Sequence, residues 1–186
     1  MRGPVGSEIT LTIVRIGEIE PLEIVIERDV IKLTAAKVRS EGNVIIVRVT
    51  TFNEQTTPNI KDGIKKQIDN LSGMGNVDGF IIDLRNNGGG SLQEAIDLTG
   101  LFIETGPVVQ IKSSSGRIEI EKDFDKQIHY EGPLLVLNNS FTASSSEIFS
   151  GALKDYNRGL IVGEPTFGKG TAVSYTHLTL PTNREV

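Results

Sequence analysis

The sequence predicts an α/β domain, a mostly parallel sheet flanked by helices. Three observations carry that expectation. Residues 43–50 and 77–85 are near-continuous apolar runs, the kind found in strands buried on both faces. Two other stretches hold apolar residues at helical spacing: Ile60, Ile64, Ile68 and Leu71 in one, Ile148, Phe149, Ala152 and Leu153 in the other. Strands and helices alternate along the chain, which implies a parallel sheet with helices on its faces.

Taken in order, Arg2–Glu8 is a turn that opens an alternating strand, Ile9–Arg15, and a second strand, Leu22–Arg28, is expected to pair with it. Val30–Val38 is extended and leads out of this module, with a boundary near Asp29. The first buried strand, 43–50, passes through a polar connection, Phe52–Pro58, into a helix over Ile60–Leu71. Lys61, Lys65 and Lys66 form its solvated face, and Ser72–Gly75 stops it. The second buried strand, 77–85, ends in Asn86–Gly90, and a helix follows over Ser91–Phe102. Pro107–Lys112 and Arg117–Glu121 alternate around Ser113–Gly116 and read as a hairpin. Asp123–His129 is a polar loop, Leu134–Leu137 a strand, Glu147–Tyr156 an amphipathic helix and Gly159–Gly163 a last strand.

Composition narrows the function classes. The 186 residues suffice for one ordinary domain and a piece of another. With no cysteine, neither a disulfide framework nor a thiolate metal site is possible. A net charge of −5 gives no reason to expect nucleic acid or an anionic membrane as partner. No apolar run approaches the length of a membrane span. Met1–Pro4 lacks a charged-then-apolar leader. The tail Val173–Asn183 resembles the in-frame translation of a transposon-type sequencing adapter, so 173–186 is set aside from fold reasoning.

Chemistry concentrates in two places. After the strand at 77–85, the glycines at 88–90 open a helix. This is no dinucleotide fingerprint, because Gln93 stands where a third glycine belongs, and no phosphate loop, because no Gly-Lys-Ser/Thr follows. Converging N–H groups at a helix N-terminus suit a developing oxyanion instead. Asp83 and Arg85 read as a pair bracing that loop. No cofactor and no metal is expected. The second place is Asn138–Lys169, where a strand delivers the chain into Thr142–Ser146. Ser144 on such a strand-to-helix turn reads either as a helix cap or as a nucleophile. A nucleophilic serine needs a base, and the two histidines serve poorly: His177 lies in the set-aside tail and His129 in a solvated loop. The remaining candidate is Lys169, expected to lie buried behind Phe167 and between Gly168 and Gly170, where desolvation favours the neutral, proton-accepting amine.

These residues resemble the active-site region of the carboxy-terminal processing, or tail-specific, proteases. The family pattern Ser-Ala-Ser-Ala-Ser-Glu reads Thr142–Glu147 here, with Ser145 in place of alanine. Gly-Glu-Pro-Thr-Phe-Gly-Lys-Gly is intact at Gly163–Gly170, and the block Asp-Leu-Arg-x-Asn-x-Gly-Gly matches Asp83–Gly90. The resemblance implies a serine endopeptidase with a Ser144–Lys169 dyad, in which the N–H groups of Gly90 and Ser145 hold the oxyanion. It implies protein or peptide substrates with accessible carboxy-terminal ends and a bacterial cell-envelope location. It also implies a core fold like that of Clp-type proteases and enoyl-CoA hydratases over 30–172, with residues 1–29 as the last part of a PDZ domain. Ala172 stands where the family has valine, and Val173 where it has a glutamine that orients the lysine. The fragment as it stands is therefore expected to be inactive. A non-catalytic peptide-binding module on the same fold is the alternative, and a crotonase-type acyl-CoA enzyme ranks below it.

Overall fold

The computed structural model describes residues 3–17, 20–29 and 34–171. The chain divides into two units, 1–33 and 34–186, and each is taken by itself. Part of the expected extended link, 30–33, lies outside the described residues, as do Ala172 and the tail from 173 onward.

The first unit is an antiparallel hairpin of β1 (Glu8–Ile13) and β2 (Leu22–Glu27), in register from Glu8 opposite Glu27 to Ile13 opposite Leu22. Ile9, Leu11 and Ile13 alternate with exposed polar residues and are half-buried. Gly6 turns the chain at φ 81°, a left-handed value that suits glycine, and Arg28 Nη1 donates to Ser7 Oγ at 2.8 Å and to the Glu8 carbonyl at 3.0 Å. Val25 and Ile26 stay exposed, and two strands alone bury too little to be more than a marginal unit.

The second unit runs β3 (Ala36–Glu41), β4 (Val44–Val49), α1 (Thr56–Asn70), β5 (Gly79–Asp83), α2 (Leu92–Gly100), β6 (Gly106–Lys112), β7 (Ile118–Asp123), β8 (Leu134–Asn138), α3 (Ser145–Asp155) and β9 (Leu160–Gly163). Five strands form a mixed sheet in the order β3-β4-β5-β8-β9. β4, β5, β8 and β9 run parallel, and β3 is antiparallel to β4. β6 and β7 form the expected hairpin as a separate two-stranded sheet. No helix among the described residues is long and apolar enough to cross a membrane.

The apolar runs turn out to be buried on one face rather than two. Ile45, Val47, Phe80, Ile82, Leu134 and Val136 share one core cluster with Ile60 and Ile64 of α1, Ala95 and Leu98 of α2, and Phe149 and Leu153 of α3. Ile46, Ile81, Leu135 and Leu137 point to the opposite face, half-buried and outside that cluster. The described helices gather over one side of the sheet, and the period-2 alternation of the strands follows from that.

Two boundaries moved for identifiable reasons. α1 starts at Thr56 rather than Ile60, because Pro58 falls in the first turn, where a missing N–H removes no helical bond. β3 takes the last three residues of the stretch read as an extended link and runs on to Glu41: its outward residues Lys37, Arg39 and Glu41 hide the strand pattern, while Ala36 and Val38 face the helices. Phe102 meets Phe80 and Phe149 edge-on at 6.5 and 6.1 Å, joining β5 and α3 within the core.

Candidate active site

β5 ends at Asp83, whose carboxylate is nearly buried. Arg85 Nε and Nη2 each donate to it at 2.9 Å, and Arg48 Nη1 lies 2.7 Å away. Burial alone would raise the Asp83 carboxyl, but the bonds from Arg85 and the charge of Arg48 hold it below the ordinary carboxylate value. Asp83 and Arg85 thus brace the loop. Its next residues are fastened by Asn87, which is fully buried. Asn87 Nδ2 donates to the Val49 carbonyl and its Oδ1 accepts from Gly89 N–H, both at 2.9 Å. The Asn87 carbonyl accepts from Ala143 N–H at 3.0 Å and from Ser146 Oγ at 3.1 Å, so the glycine loop and the serine turn are sewn to one residue.

Gly90 is held from the opposite side. Phe52 N–H donates to the Gly89 carbonyl at 3.1 Å, and Ser91 N–H donates to the Phe52 carbonyl at 2.8 Å. Peptide groups are planar and trans, so a C=O and the N–H it is joined to point opposite ways. Gly90 N–H and the Gly90 carbonyl therefore both point away from Phe52. The carbonyl accepts from Ser145 Oγ at 3.0 Å, which shows what lies on that side. Any Cβ on Gly90 would overlap the Phe52 carbonyl, and one on Gly89 would sit 2.7 Å from Ser144 Cβ. Both glycines also have positive φ, 95° and 147°.

The structure makes Ser144 a helix cap, the first of the two readings the sequence left open. It is the N-cap of α3, and its backbone stands at φ 58°, ψ −121°, a conformation L-residues avoid. Such a residue costs roughly 1–3 kcal/mol and persists only where its surroundings hold it. Here Ser144 N–H donates to Glu147 Oε2 at 2.8 Å, the flanking Ala143 N–H is held by Asn87, and Gly89 abuts the Ser144 side chain. Ser145 and Ser146 are buried below it.

Glu147 also fixes the lysine loop. Its Oε1 accepts from Thr166 Oγ1 at 2.6 Å and Gly168 N–H at 2.7 Å, and its Oε2 accepts from Lys169 N–H at 2.9 Å as well as from Ser144. One oxygen atom thus binds the main chains of Ser144 and Lys169, and the two nitrogens are no farther apart than those two bonds laid end to end. Burial would raise the Glu147 carboxyl, but the bonds from Thr166, Gly168, Ser144 and Lys169 lower it overall. Phe167 N–H donates to the Thr142 carbonyl at 2.9 Å and completes the docking.

The expected burial of Lys169 is not met: Lys169 and Phe167 are both exposed. Phe167, Gly168 and Lys169 are held through their main-chain N–H groups, which leaves the Phe167 and Lys169 side chains turned outward. His129 differs in the other direction. Its main-chain N–H donates to the Leu101 carbonyl at 2.9 Å, and its Nε2 is buried with no partner among the described residues. Burial and the nearby Lys61 lower its pKa. None of its described hydrogen bonds reaches Ser144.

Ser144, Ser145, Gly90 and the main chain of Lys169 are therefore brought together, and the N–H groups of Gly90 and Ser145 have no hydrogen-bond partner among the described residues. Sequence reasoning missed the roles of Asn87, Gly89 and Glu147. Asn87 and Gly89 were marked only as fixed positions of the Asp83–Gly90 block, and Glu147 by its place three residues beyond a serine N-cap, the spacing of a capping box.

Fold and site define a class: an α/β protein with a strained serine at a helix N-terminus, facing a glycine loop and tied to a lysine loop. Residues 43–185 match peptidase family S41, and the chain belongs to that family. The matched residues include most of the tail that the sequence reading sets aside. The chain is 43% identical over 146 residues to the tail-specific protease of Haemophilus influenzae, covering 78% of this chain and 20% of that protein. It is 41% identical over 175 residues to the carboxy-terminal-processing protease of Bartonella bacilliformis, covering 92% and 39%. Among solved structures, the photosystem II D1 C-terminal processing protease aligns with a TM-score of 0.66 at 29% identity, over 90% of this chain and 46% of that one. The chain thus spans less than half the length of these relatives.

Proposed function

We propose that the protein is a serine endopeptidase that cleaves proteins after recognising their carboxy-terminal tails, working through a Ser144–Lys169 dyad. The observation that carries the reading is the strained Ser144 N-cap whose N–H shares one Glu147 oxygen with Lys169 N–H. In this mechanism Lys169, as the free amine, takes the Ser144 hydroxyl proton while Oγ attacks the scissile carbonyl carbon. The N–H groups of Gly90 and Ser145 hold the oxygen as it becomes negative, at the positive end of α3. The proton passes to the departing amine, and water then frees the acyl group from Ser144.

Residues 1–29 would be the end of a PDZ-like module that captures the substrate's tail by strand addition, and 30–172 the protease core. The family resemblance, with the bacterial sources of two of the relatives, supports a cell-envelope location in a bacterium. The exposed side chain of Lys169 favours one other reading, a peptide-binding module that does not cut.

The test is cleavage by the full-length protein of one peptide series with free and amidated carboxy-termini. We expect cleavage of the free-ended peptides, weaker cleavage of the amidated ones, and none by Ser144→Ala. Binding without cleavage would establish the alternative, and equal cleavage of both ends would remove tail recognition.

A further inference from the structure

Ser145 is one of two positions, with Thr142, at which this chain departs from the Ser-Ala-Ser-Ala-Ser-Glu pattern, and its added hydroxyl is placed where an alanine could do nothing. Ser145 is 1% exposed, and its Oγ donates to the Gly90 carbonyl at 3.0 Å. Two peptide groups flank the Gly90 Cα. The first has its carbonyl bonded to Phe52 N–H, and the second has its N–H bonded to the Phe52 carbonyl. The Ser145 hydroxyl takes the carbonyl of the second, so three of the four polar groups are committed. The one left over is Gly90 N–H.

We propose that the Ser145 hydroxyl is a positioning strut, fixing the Gly90 peptide relative to Ser145 so that their two N–H groups aim at one oxyanion. The inference rests on the peptidase reading for its catalytic meaning, but the strut itself is a matter of geometry. Gly90 carries no side chain to lock it and stands at φ 147°, a region open to glycine, so its flanking peptides are free to rotate unless something outside holds them. Phe52 holds them from one side and the Ser145 hydroxyl from the other, a bond an alanine at that position cannot make. A donor fixed before the charge develops needs no reorganisation when the reaction occurs, which is where such a bond would act. Gly90 itself is exposed, so water can bond its carbonyl once the hydroxyl is gone. Removing the strut should therefore loosen the site with little loss of global stability, which separates this role from ordinary packing.

The experiment is Ser145→Ala in the full-length protein, a change that keeps the Ser145 N–H. Losing one neutral hydrogen bond predicts a fall in kcat of about 3- to 10-fold, with KM little changed and affinity for a peptide aldehyde falling in parallel. The melting temperature should stay within a few degrees of wild type. Unchanged kcat and aldehyde affinity would overturn the strut, as would a loss confined to KM or matched by a large drop in melting temperature. If the wild type proves inert towards peptides and aldehydes, the peptidase reading fails, and the strut is judged by amide exchange in residues 1–186. There Ser145→Ala should speed exchange at Ser91, whose N–H is bonded to the Phe52 carbonyl, while leaving β5 unchanged, and equal exchange would refute it.

Discussion

Replacing Glu147 by glutamine tests the tie between the serine and the lysine loop with almost no change of shape. The carboxylate accepts four hydrogen bonds, from Ser144 and Lys169 N–H at Oε2 and from Thr166 Oγ1 and Gly168 N–H at Oε1. A glutamine keeps one acceptor oxygen and turns the other into a donor facing donors, so two bonds are lost. Hydrogen bonds to a charged group are worth about 1.5–3 kcal/mol each, and water reaches this half-buried site to recover part of that. A net loss of about 2–3 kcal/mol follows, a roughly 30- to 150-fold rise in the population with the loop detached. Three of the four donors belong to that loop, so the loop can leave without unfolding the core, and the melting temperature should move less than the local loss suggests. Hydrogen exchange reads the difference: the amides of Gly168 and Lys169 should exchange faster by that factor, and those of β5 should not. Full-length E147Q should lose most of its peptidase activity. Unchanged exchange at Gly168 and Lys169 would refute the idea that Glu147 holds the loop.

Four other outcomes are expected. Ser144→Ala and Lys169→Ala should each abolish cleavage by the full-length protein, and the double variant should be little worse than either; losses that multiply would remove Lys169 as the base. His129→Ala should leave the cleavage rate unchanged, and its loss would reopen a histidine mechanism. Gly89→Ala should lower stability by more than about 2 kcal/mol by chemical denaturation, because φ 95° disfavours a side chain and its Cβ would lie 2.7 Å from the Ala143 carbonyl oxygen. The pH dependence follows from Glu147: its folded value lies below the ordinary 4.5, so the stability it contributes is complete above 4.5 and is lost as pH falls through the folded value. Wild-type loop protection should therefore decline in acid below pH 4.5, whereas E147Q should show a flatter profile; parallel profiles would exclude Glu147 as the titrating group.

What the sequence made legible was what depends on neighbours along the chain. Helical spacing located Ile60 and Ile64, and apolar runs located β4, β5 and β8, because each element needs its own apolar side to bury. β3 escaped because Lys37, Arg39 and Glu41 on its outward side break the apolar run, and its pairing with β4 sets the pattern only from outside. Ser144 was legible as a cap or a nucleophile, yet its positive φ was not, since that conformation is enforced by Gly89 and Asn87, residues more than fifty positions away. The same distance hid Asn87, an ordinary turn asparagine until Val49 and Ala143 are folded against it. Lys169 divides the two kinds of information within one residue. Its main chain is bound to the same carboxylate oxygen as Ser144, so the proximity implied by the motif spacing is a property of the backbone. Its dryness was inferred from Phe167 beside it, but a phenyl ring two residues away covers a lysine only if the loop turns both side chains inward. Main-chain docking to Glu147 and Thr142 turns them outward instead, and both are exposed. Spacing reports which backbones meet, whereas solvent exclusion is decided by which way a loop's side chains are left pointing once its N–H groups have found acceptors.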